Sequence, residues 1–248
     1  MKHLALWNLS RKRNTPFNFS ALGDKVHGIF CAYQYAEQNN TSVTLHINRR
    51  CQGDTAESLK HKSKQQMASW NEVHNLFPAD KINIQFWDFP ISSDKDILKY
   101  LKNNNIDADL WYYRGDHIDI VRYFKNKVLL KSNIINNTPE KLITMQWDSN
   151  DSGRNINPVK VNAIKKYYTN KGYDIIEIGS RQSLEQIGCY LSKADLHVGV
   201  ESGMMHMAAA YMPYNKIHVY TGKWFSGHVN RAIDCGTKIN YLWEKGLK

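Results

Sequence analysis

Residues 195–210, "DLHVGVESGMMHMAAA", decide how the second half of this chain is interpreted. Leu196, Val198 and Val200 alternate with other residues, which predicts a buried strand. A short polar turn follows, and the alanine-rich end predicts a helix. A strand, a polar turn and a helix N-terminus form an anion-binding arrangement in α/β proteins. The acid Glu201 in this turn therefore needs an explanation.

Glu201 and its neighbours allow two interpretations. In the functional one, the backbone amides of Gly203, Met204 and Met205 bind phosphate at the positive end of the helix dipole. Glu201 then accepts hydrogen bonds from ribose hydroxyls beside that phosphate, as acids do in dinucleotide sites. In the structural one, the segment is a glycine-containing turn with a capping acid and a core histidine. The local pattern leaves both open.

Predicted strands and helices alternate along the chain, which is typical of parallel sheets covered by helices. The predicted strands are 3–9, 42–48, 81–89, 108–115, 127–130, 141–147, 173–179, 195–200 and 216–222. The predicted helices are 23–38, 56–77, 93–103, 117–126, 158–172, 183–194 and 203–212. The polar run "NNTPE" (136–140) predicts a linker. We therefore expect two Rossmann-like α/β domains, 1–136 and 137–248, facing each other across a cleft.

The bulk composition narrows the class of protein. The 248 residues contain no apolar run of about 18 residues and no secretory leader, so we expect a cytoplasmic protein without a transmembrane segment. The four cysteines show no CxxC spacing and the ten histidines no ligand spacing, so no metal site is predicted. The tail 223–248 is aromatic and less regular, and a helix returning to the first domain is one possibility for it.

The net charge of +10 is concentrated near the N-terminus. The first 64 residues hold ten Lys and Arg but four acids, and thus six of the ten net charges. Basic segments occur at "SRKRN" (10–14), "NRR" (48–50) and "KHKSK" (60–64). Such a distribution suits either a solvated basic face or a polyanionic partner.

Two further residues each have a functional and a structural interpretation. Asp24 follows a glycine at a predicted helix start, where an N-cap is the common role and a general base the functional one. Arg154 lies in the polar loop "WDSNDSGRNINP" (147–158), which is either solvated or provides a bidentate phosphate ligand.

Two segments taken together resemble the heptosyltransferase family of GT-B glycosyltransferases. They are "LGDKVHG" (22–28) after the first strand and "SRQSLEQIGCYLSKADLHVGVESGMMHMAAAYMPYNKIHVYTG" (180–222). In that family a Gly-Asp pair opens the first helix, and a "(N/V)(D/E)(S/T)GxxHxAAA" segment holds the nucleotide-sugar. This chain departs from the pattern in its short first half, in Glu201 where Asp is commoner, and in the Met-Met after the glycine.

The resemblance implies roles for individual residues. Asp24 matches the catalytic base, and Glu201 matches the acid that binds the donor's ribose. The implied donor-binding residues are Arg154 or alternatively Lys160, Ser180 where the nucleotide pocket closes, Glu201, Ser202, Gly203, Met204 and His206. The implied reaction is an inverting transfer from a nucleotide-sugar, with no permanently bound cofactor and no required metal.

The acceptor is less constrained than the donor. Because the first half of such folds usually binds the acceptor, its positive charge favours a polyanion. We favour a hydroxylated base in phage-type DNA, flipped into the cleft, over a phosphorylated lipopolysaccharide core. The acceptor-binding candidates are Arg11, Lys12, Arg13, Lys25, Arg49 and Arg50. A non-catalytic nucleotide- or nucleic-acid-binding α/β module remains the alternative from another class.

Overall fold

The computed structural model describes residues 1–7, 9–10, 15–16, 22–48, 70–87, 94–112, 127–132, 139–149, 154–179, 181–221 and 238–241. These residues divide into two compact units, of which the first ends at Val128 and the second begins at Leu129. The predicted boundary at 136/137 lies outside the described residues, so it stays a prediction. Each unit is built on a parallel sheet, and the prediction of an α/β chain is confirmed.

The first unit contains a four-stranded parallel sheet. Its elements are β1 (Lys2–Trp7), β2 (Leu9–Ser10), β3 (Thr15–Pro16), α1 (Leu22–Gln38), β4 (Val43–Asn48), α2 (Trp70–His74), β5 (Ile82–Trp87), α3 (Asp94–Asn103) and β6 (Ala108–Tyr112). The sheet order is β5-β4-β1-β6, while β2 and β3 pair antiparallel with each other. Numbered along the chain, the four strands of this sheet have the order 3-2-1-4, as do the first four strands of the Rossmann order 3-2-1-4-5-6.

The helix α1 forms because its apolar residues recur at helical spacing. Val26, Ile29, Phe30 and Tyr33 are all at most 5% exposed, as the spacing predicted. The ring of Phe77, just after α2, lies 6.5 Å from that of Phe30 and 5.9 Å from that of Tyr33. Because α1 also packs against β4 and β5, whose residues Leu45, Ile47 and Ile82 are buried, the core of this unit lies between α1 and the sheet.

The second unit contains a five-stranded parallel sheet. Its elements are β7 (Leu142–Gln146), α4 (Pro158–Thr169), β8 (Asp174–Glu177), α5 (Leu184–Lys193), β9 (Leu196–Gly199), α6 (Gly203–Tyr211), the 3₁₀ turn Tyr214–Lys216, β10 (Ile217–Thr221) and β11 (Lys238–Tyr241). The sheet order is β11-β10-β9-β7-β8. All of its neighbouring strands are parallel.

The chain crosses this sheet in two directions from its middle. α4 leads from β7 outward to β8, whereas α6 leads from β9 outward to β10. Because such crossovers are right-handed, α4 covers one face of the sheet and α6 the other. The carboxyl ends of β7 and β9 therefore form the topological switch point, which is where open α/β sheets bind ligands.

Some elements differ from the sequence prediction, which also lacked β3. Residues 127–130, predicted as a strand, are not one, because their backbone groups bond outside any sheet. The side-chain amide of Gln34 accepts a hydrogen bond from the Val128 N–H and donates one to the Val128 C=O. The Leu130 amide donates to the Ala210 carbonyl. In the tail, β11 is a strand that the sequence prediction lacked.

The predicted helices over 56–77 and 117–126 lie wholly or mostly outside the described residues. Of the former, Trp70–His74 is described and is helical. Cys31 and Cys189 are not in disulfides; Cys31 is buried, whereas Cys189 is half-buried with its Sγ 2.9 Å from Oγ of Ser132. None of the described helices is both long and apolar enough to cross a membrane.

Candidate functional site

The backbones of β7 and β9 approach each other closely at the switch point. Gln146 pairs with Gly199, and the Val200 amide donates to the Gln146 carbonyl at 3.1 Å. A Cβ on Gly199 would lie 2.5 Å from that carbonyl oxygen, a separation that real Cβ atoms do not show. Only glycine fits at position 199, which explains the "VGV" of the strand.

Glu201 is buried beside a guanidinium. Its side chain is 4% exposed, and one carboxylate oxygen lies 4.0 Å from Nε of Arg154. Arg154 Nη1 also donates to the Glu201 carbonyl oxygen at 3.2 Å. The loop after β7 and the turn after β9 thus meet through this pair. A buried carboxylate is costly unless it is paired, so Arg154 stabilises Glu201 in its buried position.

Ser202 caps α6 and is held by a glutamine. Its Oγ accepts a hydrogen bond from the Met204 amide at 3.2 Å and donates to Oε1 of Gln146 at 2.7 Å. Gln146 is 6% exposed, and its Nε2 donates in turn to the Asp148 carbonyl. Both polar atoms of the Gln146 amide are therefore engaged at the site.

The N-terminus of α6 has an open amide, as does that of α5 at Leu184 among the described residues, whereas the first amides of α4 are satisfied. At α4, Pro158 has no N–H, and the Asn157 side chain caps Val159. At α5, Ser183 and Gln186 form a reciprocal capping box. At α6, none of the described residues accepts a hydrogen bond from the Gly203 amide. This amide is available for an anion, in line with the dipole of α6.

Two of the three amides predicted to bind phosphate have acceptors within the turn. The Met204 amide donates to Ser202 Oγ, and the Met205 amide donates to the Ser202 carbonyl at 3.1 Å. Since both amides have acceptors within the turn, Gly203 is the position at which α6 presents an open one. The structural interpretation of Glu201 as a capping acid does not hold, because Ser202 is the N-cap.

The fold resembles that of a solved glycosyltransferase. The chain matches the crystal structure of the bacterial iron-containing dodecameric glycosyltransferase TibC from enterotoxigenic E. coli H10407 with a TM-score of 0.52 and 10% identity. The match covers 91% of this chain and 61% of TibC. A second TibC structure, described as a heptosyltransferase in complex with ADP-D-beta-D-heptose, matches at a TM-score of 0.45 and 10% identity, over 90% and 60%.

At this identity the likeness to TibC concerns the fold alone, and the chain spans about three fifths of the TibC length. No protein-family model matches the chain, and no curated protein matches its sequence. The described residues contain no group of three or more His, Cys, Asp or Glu that could hold a metal ion.

The other predicted donor residues lie on α4, on α6 or outside the described residues. Lys160 lies in the first turn of α4 and is half-buried, and its backbone amide donates to the Asn157 carbonyl. His206 is half-buried on α6, three residues after Gly203. Ser180 lies outside the described residues.

The first-unit candidates are described only in part. Asp24 lies in the first turn of α1, where an acid complements the helix dipole, but its side chain lies outside the described part of the structure. Lys25 is 2% exposed, and this burial argues against direct contact with a large polyanion. The remaining basic candidates, Arg11, Lys12, Arg13, Arg49 and Arg50, lie outside the described residues.

Gln146 is the site residue that the sequence analysis missed. It occurs in "KLITMQW" (141–147), where four residues of mainly apolar character precede it. A polar side chain at the carboxyl end of a buried parallel strand points toward the region where α/β sheets bind ligands. That position was the available signal, but its partner Ser202 depends on the pairing of β7 with β9.

Proposed function

We propose that this chain is a glycosyltransferase that uses a nucleotide-sugar donor bound at the carboxyl ends of β7 and β9. One observation carries the proposal: buried Glu201 lies beside Arg154, directly before the open N-terminus of α6, at the switch point of the sheet. The fold likeness to TibC supports the same class of protein.

The proposed donor contacts follow from charge and hydrogen-bonding capacity. The carboxylate of Glu201 accepts from ribose hydroxyls, while the Gly203 amide binds diphosphate oxygens. The guanidinium of Arg154 carries several N–H donors in a planar fork, so it can contact Glu201 and a phosphate at once. Contacts from Lys160, Ser180 and His206 are further parts of the proposal.

The proposed reaction is an inverting displacement with Asp24 as general base. Asp24 takes the proton from the acceptor hydroxyl, whose oxygen forms a bond to the anomeric carbon. The bond from that carbon to the diphosphate breaks, and the diphosphate leaves with the electron pair. Arg154 and the Gly203 amide stabilise the charge that develops on it. We also propose that no bound metal is needed, so that a chelator leaves transfer unchanged.

The acceptor is a narrower proposal. The net charge of +10 and its concentration in the first 64 residues favour a polyanion, and among polyanions a hydroxylated base in DNA. A phosphorylated lipopolysaccharide core is the alternative acceptor.

A mass-spectrometric transfer assay tests the proposal. Purified protein is incubated with a panel of nucleotide-sugars and either hydroxymethylcytosine-containing duplex DNA or deacylated lipopolysaccharide core. We expect a sugar-sized mass gain on the modified nucleoside, whereas a gain only on the core selects the alternative acceptor. Nucleotide binding without transfer to either acceptor would instead support a non-catalytic module.

Two substitutions separate donor binding from chemistry. Asp24→Asn should abolish transfer and leave the donor affinity unchanged, because it removes only the base. Glu201→Gln should weaken binding of the nucleotide-sugar about tenfold or more, since a carboxylate is the stronger acceptor for ribose hydroxyls. Glu177→Gln is the matched control, because Glu177 ends the neighbouring β8 with its side chain 58% exposed and paired with Lys165. Unchanged affinity in Glu201→Gln would refute the donor assignment.

A further inference from the structure

We propose that Gln146 is a positioning residue that sets the affinity of the α6 N-terminus for phosphate. The inference rests on the proposed function, since it concerns the diphosphate part of the same donor site. It adds a residue for which neither the sequence motif nor the fold likeness provides a role.

The orientation of the Gln146 amide is fixed from both ends. Its Oε1 accepts from Ser202 Oγ at 2.7 Å, and its Nε2 donates to the Asp148 carbonyl. An inverted amide would set Oε1 against the Asp148 carbonyl oxygen, where neither atom has a proton to donate. Gln146 thus connects the loop after β7 to the turn after β9 from a nearly fully buried position.

This fixed amide decides what Ser202 can do. A serine hydroxyl has a single proton, and here it is directed to Gln146. The Ser202 lone pairs are then directed to the Met204 amide, which completes the cap of α6. In this state Ser202 donates nothing to a ligand, and a phosphate oxygen meets the Gly203 amide instead.

For phosphate binding, the absence of charge on Gln146 is as important as the geometry of its hydrogen bonds. The site already contains the buried carboxylate of Glu201 beside Arg154. A glutamate at position 146 would have the same shape and still accept from Ser202. It would also add a second negative charge below the anion site and direct an acceptor at the Asp148 carbonyl. A glutamine provides the hydrogen bonds without this repulsion.

Titration calorimetry on the full chain tests the proposal with ADP, UDP and GDP and the corresponding nucleosides as probes. Gln146→Met, which keeps the volume but removes both hydrogen bonds, should raise the Kd of the diphosphate that the wild type binds about tenfold. Gln146→Glu should raise it further, and this added loss should shrink at high ionic strength because it is electrostatic. The Kd of the nucleoside should change by less than about twofold in both variants.

Thr144→Val is the matched control. Thr144 lies two residues earlier on the same face of β7, and its hydroxyl bonds to the buried His197 rather than to the site. This variant should lose stability without changing the ratio of the diphosphate and nucleoside affinities. A purely structural role of Gln146 predicts the same behaviour for the Gln146 variants.

The outcomes distinguish this inference from the proposed function. If the wild type binds the diphosphates and the Gln146 variants retain the wild-type ratio of affinities, the positioning role is overturned and the donor site stands. If the wild type binds none of the nucleotides, both fail together. A loss in both Gln146 variants that is equal for diphosphate and nucleoside also overturns the positioning role.

Discussion

At the scale of single residues, Gly199 makes the site possible. A methyl group there would collide with the Gln146 carbonyl, which is backbone and cannot rotate away. Gly199→Ala should therefore lower the free energy of unfolding by about 1–3 kcal/mol and also weaken nucleotide binding. Urea denaturation and nucleotide titration measure the two effects.

Gly179→Ala serves as the control for this prediction. Gly179 follows the neighbouring β8, and a Cβ there meets nothing within 4 Å. Its substitution should change the stability by less than about 0.5 kcal/mol. Equal losses in the two variants would show that the close approach of β7 and β9 is not the cause.

A second residue, His197, should make the stability depend on pH. Burial, assisted by the charge of His218, lowers the pKa of His197 to about 3. Below about pH 6.5 the unfolded chain takes up this proton and the folded chain does not, so stability is complete above that pH. It then falls by up to about 1.4 kcal/mol per pH unit as the pH decreases toward 3.

His197→Asn tests this contribution because asparagine cannot titrate. Urea denaturation at pH 7 and at pH 5 should show a smaller loss of stability in the variant than in the wild type. Comparing the difference between the two pH values removes the effect of the other histidines. If both proteins lose the same stability, His197 is not the source of the pH dependence.

A site residue could be predicted from the sequence where the structure that positions it is close along the chain, and not where its partner is distant. Glu201, Ser202 and Gly203 follow a strand within a few residues, so their place at a helix start was predictable. The pairs Arg154–Glu201 and Gln146–Ser202 depend on which strands are neighbours. That register is a property of the sheet, and no local pattern encodes it.

At the scale of elements, the spacing of apolar residues along the sequence decided which helices and strands were predicted correctly. α1 and β7 have clear periods of helix and buried strand, and the structure has them where the sequence predicts them. Residues 127–130 are apolar enough for a strand, yet their hydrogen bonds go to a side chain and to a helix end. The composition of a short apolar segment does not show whether its backbone bonds to a neighbouring strand or to a side chain and a helix end.

The pair of hydrogen bonds between Gln34 and the Val128 backbone leads to a prediction about stability. Gln34 is fully buried on α1, and its amide makes hydrogen bonds of 2.8 and 2.7 Å with the Val128 backbone. Gln34→Leu keeps the volume but leaves two backbone groups without this partner. We expect a loss of about 1–3 kcal/mol and faster hydrogen exchange at the Val128 amide.

A similar pair of hydrogen bonds from a glutamine side chain to the backbone, in the second unit, provides the comparison. The side chain of Gln182 bonds to the Gly179 amide and to the Glu177 carbonyl, but in a more exposed turn. Water can replace its hydrogen bonds, so Gln182→Leu should cost less than about 1 kcal/mol. A larger cost at Gln182 than at Gln34 would contradict the importance of burial.

At the scale of the whole molecule, the order of the strands carried the information that the sequence lacked. The alternation of strands and helices predicted two parallel sheets, and both exist. It did not predict that β7 lies between β8 and β9. Only that order makes the ends of β7 and β9 a switch point and gives the motif at 200–206 its position at a ligand-binding edge.

The charge of the whole chain gives the last prediction. A protein with a net charge of +10 whose acceptor is a polyanion should bind duplex DNA less tightly as salt increases. Replacing Arg49 and Arg50 by glutamine should reduce the slope of log K against log salt by about one for each phosphate that these arginines neutralise. Lys102→Gln is a control because Lys102 is an exposed lysine at the end of α3, outside the proposed acceptor set. An unchanged slope in the arginine variant would contradict this prediction. So would an equal reduction in the control, because DNA would then bind through the overall charge and not through a defined acceptor surface.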